Sequence, residues 1–307
     1  MSALEVRVSA ARSVTPVIRE LSLTPVSGTL PGFSAGSHVQ LHLPNGKRNA
    51  YSLIGDPRDT GHYRIAVRQQ AQSRGGSRYI HEQLQVGDAL KISPPANLFA
   101  LDATARLHIL IAAGIGITPF LAYCSELLLR GDPFELHYAY RAGVSDAYVE
   151  TLRERLGERL HVYESGKRRL DLGQVLQQRP LGTHVYACGP QALLDALREQ
   201  GQALGWPAAR LHWEAFAAPE PGLPFQVELA RSGRQLLVAA EQSLLEALEV
   251  AGVELPNLCR GGVCGQCRTP YLRGDVEHRD LFLADAERVD HLMPCVSRGC
   301  GSILLDI

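Results

Sequence analysis

The 307-residue chain reads as a multidomain protein of three unlike parts: a small β-barrel, a doubly wound α/β domain and an α+β tail. Three observations predict this. Short β-like segments punctuated by Gly and Pro fill the first hundred residues, as in a small barrel. The apolar run Arg106-Leu-His-Ile-Leu-Ile-Ala-Ala then enters the turn Gly114-Ile-Gly-Ile-Thr-Pro, the pattern of a buried parallel strand running into a helix. Beyond the Pro-rich stretch 217–224, the clearest linker, Cys259, Cys264 and Cys267 follow C-x4-C-x2-C spacing, and Cys295 comes after 27 intervening residues.

In the barrel segment, Arg48-Asn49-Ala50-Tyr51-Ser52-Leu53 and Ser73-Arg74-Gly75-Gly76-Ser77 stand out. Arginine and serine beside paired glycines hold a phosphate through charge and backbone amides, and a tyrosine followed by serine can bracket a flat ring and bond its edge. Each stretch alone is ordinary: the first also reads as a core aromatic in a strand, the second as a flexible loop.

The middle segment adds the strands Phe134-Glu-Leu-His-Tyr-Ala-Tyr and Thr183-His-Val-Tyr-Ala, the latter ending in Cys188-Gly189-Pro190. Thr118 is expected as N-cap and Pro119 as first residue of a helix over 120–129 that stops before Gly131. Free amides at that helix start favour a phosphate, and Gly114 and Gly116 let a ligand approach the backbone. The full G-x-G-x-x-G fingerprint is absent, since Pro119 takes the third glycine position, so the pattern indicates a related dinucleotide fold. A turn that merely packs helix on strand is the bland alternative. Where an NAD site expects an acidic residue about 20 positions after the glycines, Tyr140 and Arg141 stand instead, with Asp146 nearby.

The tail opens with a hairpin, Phe225-Gln-Val-Glu-Leu-Ala and Gln235-Leu-Leu-Val around Ser232-Gly233. A helix follows, with Ser243 and Glu246 as a capping box, Leu244, Leu245 and Leu248 as its apolar stripe and Gly252 at its end. The cysteine spacing is that of plant-type 2Fe-2S ferredoxins, in which four thiolates converge on one small volume. Gly261, Gly262 and Gly265 suit such tight wrapping, and the amides of Arg260, Gly262 and Val263 are candidates to point at sulfur. The alternatives are buried cysteines acting as small hydrophobes, or zinc, whose ligands more often come as C-x2-C pairs. Cys300 is an alternative fourth ligand to Cys295.

Seven cysteines, with Cys124, Cys188 and Cys300 outside the pattern, leave an odd count for a disulfide framework, so a reducing, cytoplasmic setting is expected. The first residues lack the apolar core of a signal peptide, and the longest apolar run, 107–124, is broken by Gly114, Gly116 and Pro119, so neither export nor a membrane span is expected. A net charge of −1, with no basic run beyond Lys167-Arg168-Arg169, argues against a nucleic-acid partner.

Together these motifs occur in the order flavin, nicotinamide, iron–sulfur, and from end to end the chain resembles the phthalate dioxygenase reductase family. It is most similar to members reading Asn49-Ala50-Tyr51-Ser52-Leu53, including reductases of the carnitine monooxygenase type. The resemblance implies an FMN-binding β-barrel over 1–101, an NAD(P)H-binding α/β domain over 102–217, a linker over 218–224 and a β-grasp ferredoxin domain over 225–307. It implies flavin contacts at Tyr51, Ser52 and Leu53, and FMN phosphate contacts at Arg74, Gly75, Gly76 and Ser77. Nicotinamide-dinucleotide contacts follow at Gly114, Gly116, Thr118, Pro119, Cys188, Gly189 and Pro190, and Glu214 and Phe216 close the second domain near flavin and nicotinamide. Cys259, Cys264, Cys267 and Cys295 hold the 2Fe-2S cluster. One departure is plain: the family's R-x-Y-S motif puts arginine at position 49, where Asn49 stands, with Arg48 one residue off. The implied function is an NADH-dependent reductase that passes single electrons from FMN through the cluster to a Rieske-type oxygenase. Chemistry borne by cofactors needs no catalytic side chain. A stand-alone flavin reductase of small acceptors and an iron–sulfur redox sensor are the competing readings.

Overall fold

The computed structural model describes residues 3–70, 75–216 and 221–307. Contacts divide the chain after Phe216 into two compact units.

The first unit begins with an antiparallel sheet. Its strands are β1 (Leu4–Thr15), β2 (Ile18–Pro25), β3 (Ser37–His42), β4 (Arg48–Ser52) and β5 (Tyr63–Arg68), then, after helix α1 (Gly76–Glu82), β6 (Ala89–Ile92) and β7 (Ala96–Asn97). The order is β4-β3-β6-β1-β2-β5, with β7 on β3. The sheet curls so that Ile54, just beyond β4, donates its amide to the Arg64 carbonyl on β5 (2.9 Å), bringing the two ends together. Alternation builds the inside of this barrel. In β1, Val6 and Val8 are buried while Glu5 and Arg7 face solvent, and they meet Leu21, Leu23, Val39, Leu41, Tyr63, Ile65 and Ile92.

A five-stranded parallel sheet follows: β8 (Leu107–Ala113), helix α2 (Thr118–Arg130), β9 (Phe134–Tyr140), α3 (Val149–Leu156), β10 (Leu160–Glu164), α4 (Leu172–Leu176), β11 (Thr183–Cys188), α5 (Gln191–Ala203) and β12 (Leu211–Glu214). The order β10-β9-β8-β11-β12 reverses between β8 and β11, so the crevice beyond their carboxyl ends is a topological switch point, where open α/β sheets bind ligands. β8 reads as a continuous apolar run because both its faces are covered. Leu110 and Ala112 pack with Phe120 and Leu127 of α2, and Ile109 and Ile111 with Val175, Leu194 and Leu197 of α4 and α5.

Barrel and parallel sheet are joined by polar contacts as well as packing. The Tyr148 hydroxyl donates to Glu20 Oε2 (2.7 Å), Arg12 pairs with the same carboxylate (3.0 Å), and Thr15 Oγ1 donates to the Val144 carbonyl (2.9 Å). Burial pushes the Glu20 carboxyl up, but the hydrogen bonds from Arg12 and Tyr148 outweigh it and the net pKa lies below the ordinary carboxylate value.

The second unit holds β13 (Phe225–Leu229), β14 (Gln235–Val238), helix α6 (Leu244–Val250), β15 (Thr269–Glu277), β16 (His291–Leu292) and β17 (Arg298–Leu305), in the order β14-β13-β17-β15-β16. β13 pairs antiparallel with β14 and parallel with β17, the mixed sheet of a β-grasp. Helix α6 lays Leu244 and Leu248 on Phe225, Val227, Ile303 and Leu305. Its capping box forms, with Ser243 Oγ accepting from the Glu246 amide (3.2 Å) and Glu246 Oε2 from the Ser243 amide (2.9 Å). Arg298, almost wholly buried, donates to the carbonyls of Leu223, Ala239 and Gln242 and so fixes the last linker residues to the sheet. The last residue of the expected α/β domain, 217, and residues 218–220 of the expected linker lie outside the described residues.

Candidate functional site

At the switch point, β8 runs into a 3-10 turn, Gly114–Ile117, before α2. This corrects the expectation for Thr118. Helical backbone already begins at the glycines, so Ile117 takes the cap position, and the Thr118 hydroxyl donates back to the Ile115 carbonyl (3.0 Å) instead of accepting an amide. Pro119 stands in the first turn, where a missing amide leaves no hydrogen bond unmade, and Gly131 ends the helix at φ 71°. Gly114 has φ 56°. A Cβ on Gly116 would lie 2.1 Å from the Cys188 carbonyl oxygen, so the turn after β8 and the Cys188-Gly189-Pro190 loop after β11 touch. Beyond them, a Cβ on Gly114 would approach Ser145 (3.7 Å) and Arg68 Nη1 of β5 (4.0 Å), so the barrel's edge reaches the same crevice.

Cys188 is fully buried opposite Glu214 across the β11–β12 pair, and burial, then the nearby Glu214, pushes its thiol well up. Phe216 follows β12 and is 39% exposed. Asp146, the expected acidic contact, lies in the loop after β9, where its carboxylate accepts from the Gly143 amide (2.8 Å).

On the barrel, Tyr51, Ser52 and Leu53 end β4. The Tyr51 hydroxyl is enclosed, its pKa pushed up to about 12 by burial, and it accepts from Asn49 Nδ2 (3.1 Å). Asn49 also fills the space beside Gly76, where a Cβ would sit 2.2 Å from the amide nitrogen. The two sequence stretches therefore meet through the very residue that departs from the family motif. Gly75 adopts φ 106° and its carbonyl accepts from Asn45 Nδ2 (3.2 Å), and Ser77 Oγ accepts from the Gln70 amide (3.3 Å). Arg74 lies outside the described residues. The buried Ser52 hydroxyl has no hydrogen-bond partner among the described residues, and a buried hydroxyl that lacks one is suited to a bound group's polar edge.

In the tail, Cys259, Cys264, Cys267 and Cys295 gather at one end of the sheet, all as free thiols. Cys267 and Cys295 sulfurs are 3.3 Å apart. The bond it shares with Cys264, then burial, pushes the Cys259 thiol up, while the same bond holds Cys264 down to about 6. Backbone amides aim at the sulfurs: Gly261 donates to Cys259 (3.4 Å), with Val263 beside it, Gln266 serves Cys264, and Gly262 serves Cys295. Of the amides expected at sulfur, Gly262 and Val263 stand there. Arg260, at φ 51°, instead uses its side chain, pairing in bidentate fashion with Glu249 at the end of α6 (2.8 and 2.8 Å). Gly262 and Gly265 have positive φ, and a Cβ on either would strike Val296 (2.7 Å) or the Phe282 ring (2.3 Å). Asp280, 4% exposed, accepts from the amides of Phe282 and Leu283 and holds the wall opposite the loop. Sequence reasoning missed Asp280, Arg260 and Arg298 as supports: the partners of Arg298 lie far along the chain, and the short-range bonds of Asp280 and Arg260 start from loop residues that no helix or strand period marks. Cys300 is exposed on β17, and Cys124 is buried in α2, its thiol pushed up to about 12 by burial. Four convergent sulfurs ringed by amides fit a 2Fe-2S cluster.

Fold and site together define a class: modular reductases in which a flavin-type barrel, a dinucleotide-type sheet and a 2Fe-2S domain share one chain. The family model for the 2Fe-2S iron-sulfur cluster binding domain matches residues 227–300, and that for the N-terminal domain of dimethylamine monooxygenase subunit DmmA-like proteins matches residues 89–211. The chain is 72% identical over 305 residues to the heme-dependent oxidative N-demethylase beta subunit of Ectopseudomonas mendocina (strain ymp), covering 99% of each. It is 42% identical to the carnitine monooxygenase reductase subunit of Escherichia coli (strain K12), covering 99% of this chain and 98% of that one. A solved phthalate dioxygenase reductase, described as a modular structure for electron transfer from pyridine nucleotides to [2Fe-2S], superposes with TM-score 0.90 at 34% identity, covering 100% of this chain and 98% of the other. The chain belongs to the phthalate dioxygenase reductase family of oxygenase reductase subunits. It is an oxidoreductase that serves an oxygenase partner. Among the described residues no helix is long and apolar enough to cross a membrane.

Proposed function

We propose that this subunit oxidises NADH at an FMN held by the barrel and delivers single electrons through a 2Fe-2S cluster to a haem-bearing oxidative N-demethylase. The observation that carries the reading is the four-sulfur loop with its amides directed at sulfur. Flavin and cluster, when bound, supply the conversion of one two-electron delivery into two one-electron deliveries. The residues' part is to bind and orient. In this reading the Ser52 hydroxyl bonds the flavin edge, Tyr51 flanks its ring, and Leu53 and the Arg74–Ser77 stretch secure the remainder and its phosphate. The Gly114–Pro119 turn and Cys188-Gly189-Pro190 hold the dinucleotide at the switch point, with Glu214 and Phe216 at the flavin–nicotinamide meeting place. Cys259, Cys264, Cys267 and Cys295 are the cluster ligands. The functional modules run over 1–101, 102–217 and 225–307, with 218–224 as linker. An odd count of seven cysteines, four of them assigned to the cluster, supports a reducing, cytoplasmic setting.

The haem-type partner is supported by the 72% identity to a beta subunit of that description. A Rieske-type partner is the second reading, favoured by the 0.90 TM-score to phthalate dioxygenase reductase. Cys264→Ser is expected to abolish electron delivery to either oxygenase while NADH-driven flavin reduction persists; unchanged delivery would sink the proposal. Pairing the wild-type subunit with each purified oxygenase type in turn decides between partners, by which of the two it reduces.

A further inference from the structure

Two histidines and a carboxylate stand together on the edge of the parallel sheet, away from every residue used above. Glu135 and His137 project from β9 and His161 from β10, and parallel register sets His161 directly beside His137, their rings stacked 4.7 Å apart. Glu135 Oε2 lies 3.1 Å from His137 Nε2 and 3.9 Å from His161 Nε2, and one ligand atom from each residue falls within 4.8 Å of the others. We propose that these three residues form a binding site for a divalent transition metal, zinc foremost, on the nucleotide domain.

The donor set suits the ion. Zinc takes imidazole nitrogen at about 2.0–2.1 Å and carboxylate oxygen at about 2.0–2.2 Å, so tetrahedral neighbours lie roughly 3.3 Å apart. The Glu135–His137 pair already has that spacing. His161 must close by about 0.6 Å on Glu135 and turn toward His137, from which its donor lies within 4.8 Å, and its side chain, 38% exposed, has the freedom to do so. Partners behind the donors orient them as metal sites require. Tyr163 holds His137 Nδ1 (2.9 Å), leaving Nε2 for the ion, and Arg179 holds Glu135 Oε1 (2.8 Å), leaving Oε2. His137 is deep and His161 open, so the ion enters from solvent and the fourth position falls to water, a three-ligand arrangement. The bland reading is an Arg179–Glu135 ion pair with histidines packed against it. Its guanidinium sets the competition, since it repels a cation at the same carboxylate.

The test is calorimetric titration of the holoprotein, cluster intact, with zinc chloride alone, on wild type, His161→Ala and Glu135→Gln, with X-ray absorption at the zinc edge. One equivalent bound by wild type, at least tenfold weaker in both variants, with nitrogen and oxygen but no sulfur neighbours, is the expected result. His161 is partly exposed, so its variant keeps the fold, which circular dichroism checks. Equal binding by wild type and His161→Ala, no saturable binding, or sulfur neighbours at the zinc would each overturn the site.

Discussion

Gly116 has a carbonyl where its side chain would be. The sequence marks it as a glycine needed for close approach, and among the protein's own atoms the one that comes close is the Cys188 carbonyl of the adjoining loop. Gly116→Ala must therefore part the two switch-point loops. About 1–3 kcal/mol of destabilisation is expected, with a KM for NADH raised tenfold or more while the cluster spectrum stays intact, read by steady-state kinetics and thermal unfolding. Ser52→Ala removes a buried hydroxyl that has no partner among the described residues, so it should leave thermal stability nearly unchanged and weaken FMN retention about tenfold, measured by flavin release on dilution. The gathering of the four cysteines proposed as cluster ligands was legible because three sit in one short loop. Arg298 was not, since a side chain's choice of a carbonyl tens of residues away leaves no local pattern, and neither were Asp280 and Arg260, whose bonds start from irregular loops that carry no periodic signal.

The elements best foreseen were those whose signals are local. The capping box at Ser243 and Glu246 and the Gly131 stop both formed as the residues dictate. Ser243→Ala should cost about 1 kcal/mol, seen as a lowered melting temperature of the second unit. Thr118 failed as a cap because a neighbouring 3-10 turn took over the start of the helix, something a cap preference alone does not report. Strands β10 and β12 were passed over, being short and of mixed polarity at or near the sheet's edge. In that sheet, burial lowers the pKa of His108 on the central strand β8, and burial and then His184 lower that of His212 on the edge strand β12. A histidine kept neutral when folded takes up its proton more readily once unfolded. Stability is thus full above about pH 6.5 and lost as pH falls below it toward the lowered folded values. His108→Phe should flatten this loss, measured by denaturant unfolding at pH 7.5 and 5.5. An unchanged slope would assign it elsewhere.

At the scale of the first unit, barrel and parallel sheet act as one body through Glu20, Arg12 and Tyr148. Their pairing was not legible, because it joins β1 and β2 to a residue more than a hundred positions on. Glu20's net depressed pKa makes its contribution present above about pH 4.3 and lost as pH falls through the folded value. Tyr148→Phe takes away one of the bonds that lower it. The acid transition should begin at a higher pH, with about 1–3 kcal/mol lost near neutrality, followed by fluorescence. Across the whole chain, the central claim is that electrons pass from NADH to flavin to the 2Fe-2S cluster within a single polypeptide. An anaerobic NADH titration of the purified protein, followed by visible spectroscopy and then electron paramagnetic resonance of the frozen product, tests it most directly. Flavin bleaching together with a rhombic one-electron cluster signal is the expected result. A bleached flavin with iron present but no cluster signal would contradict it.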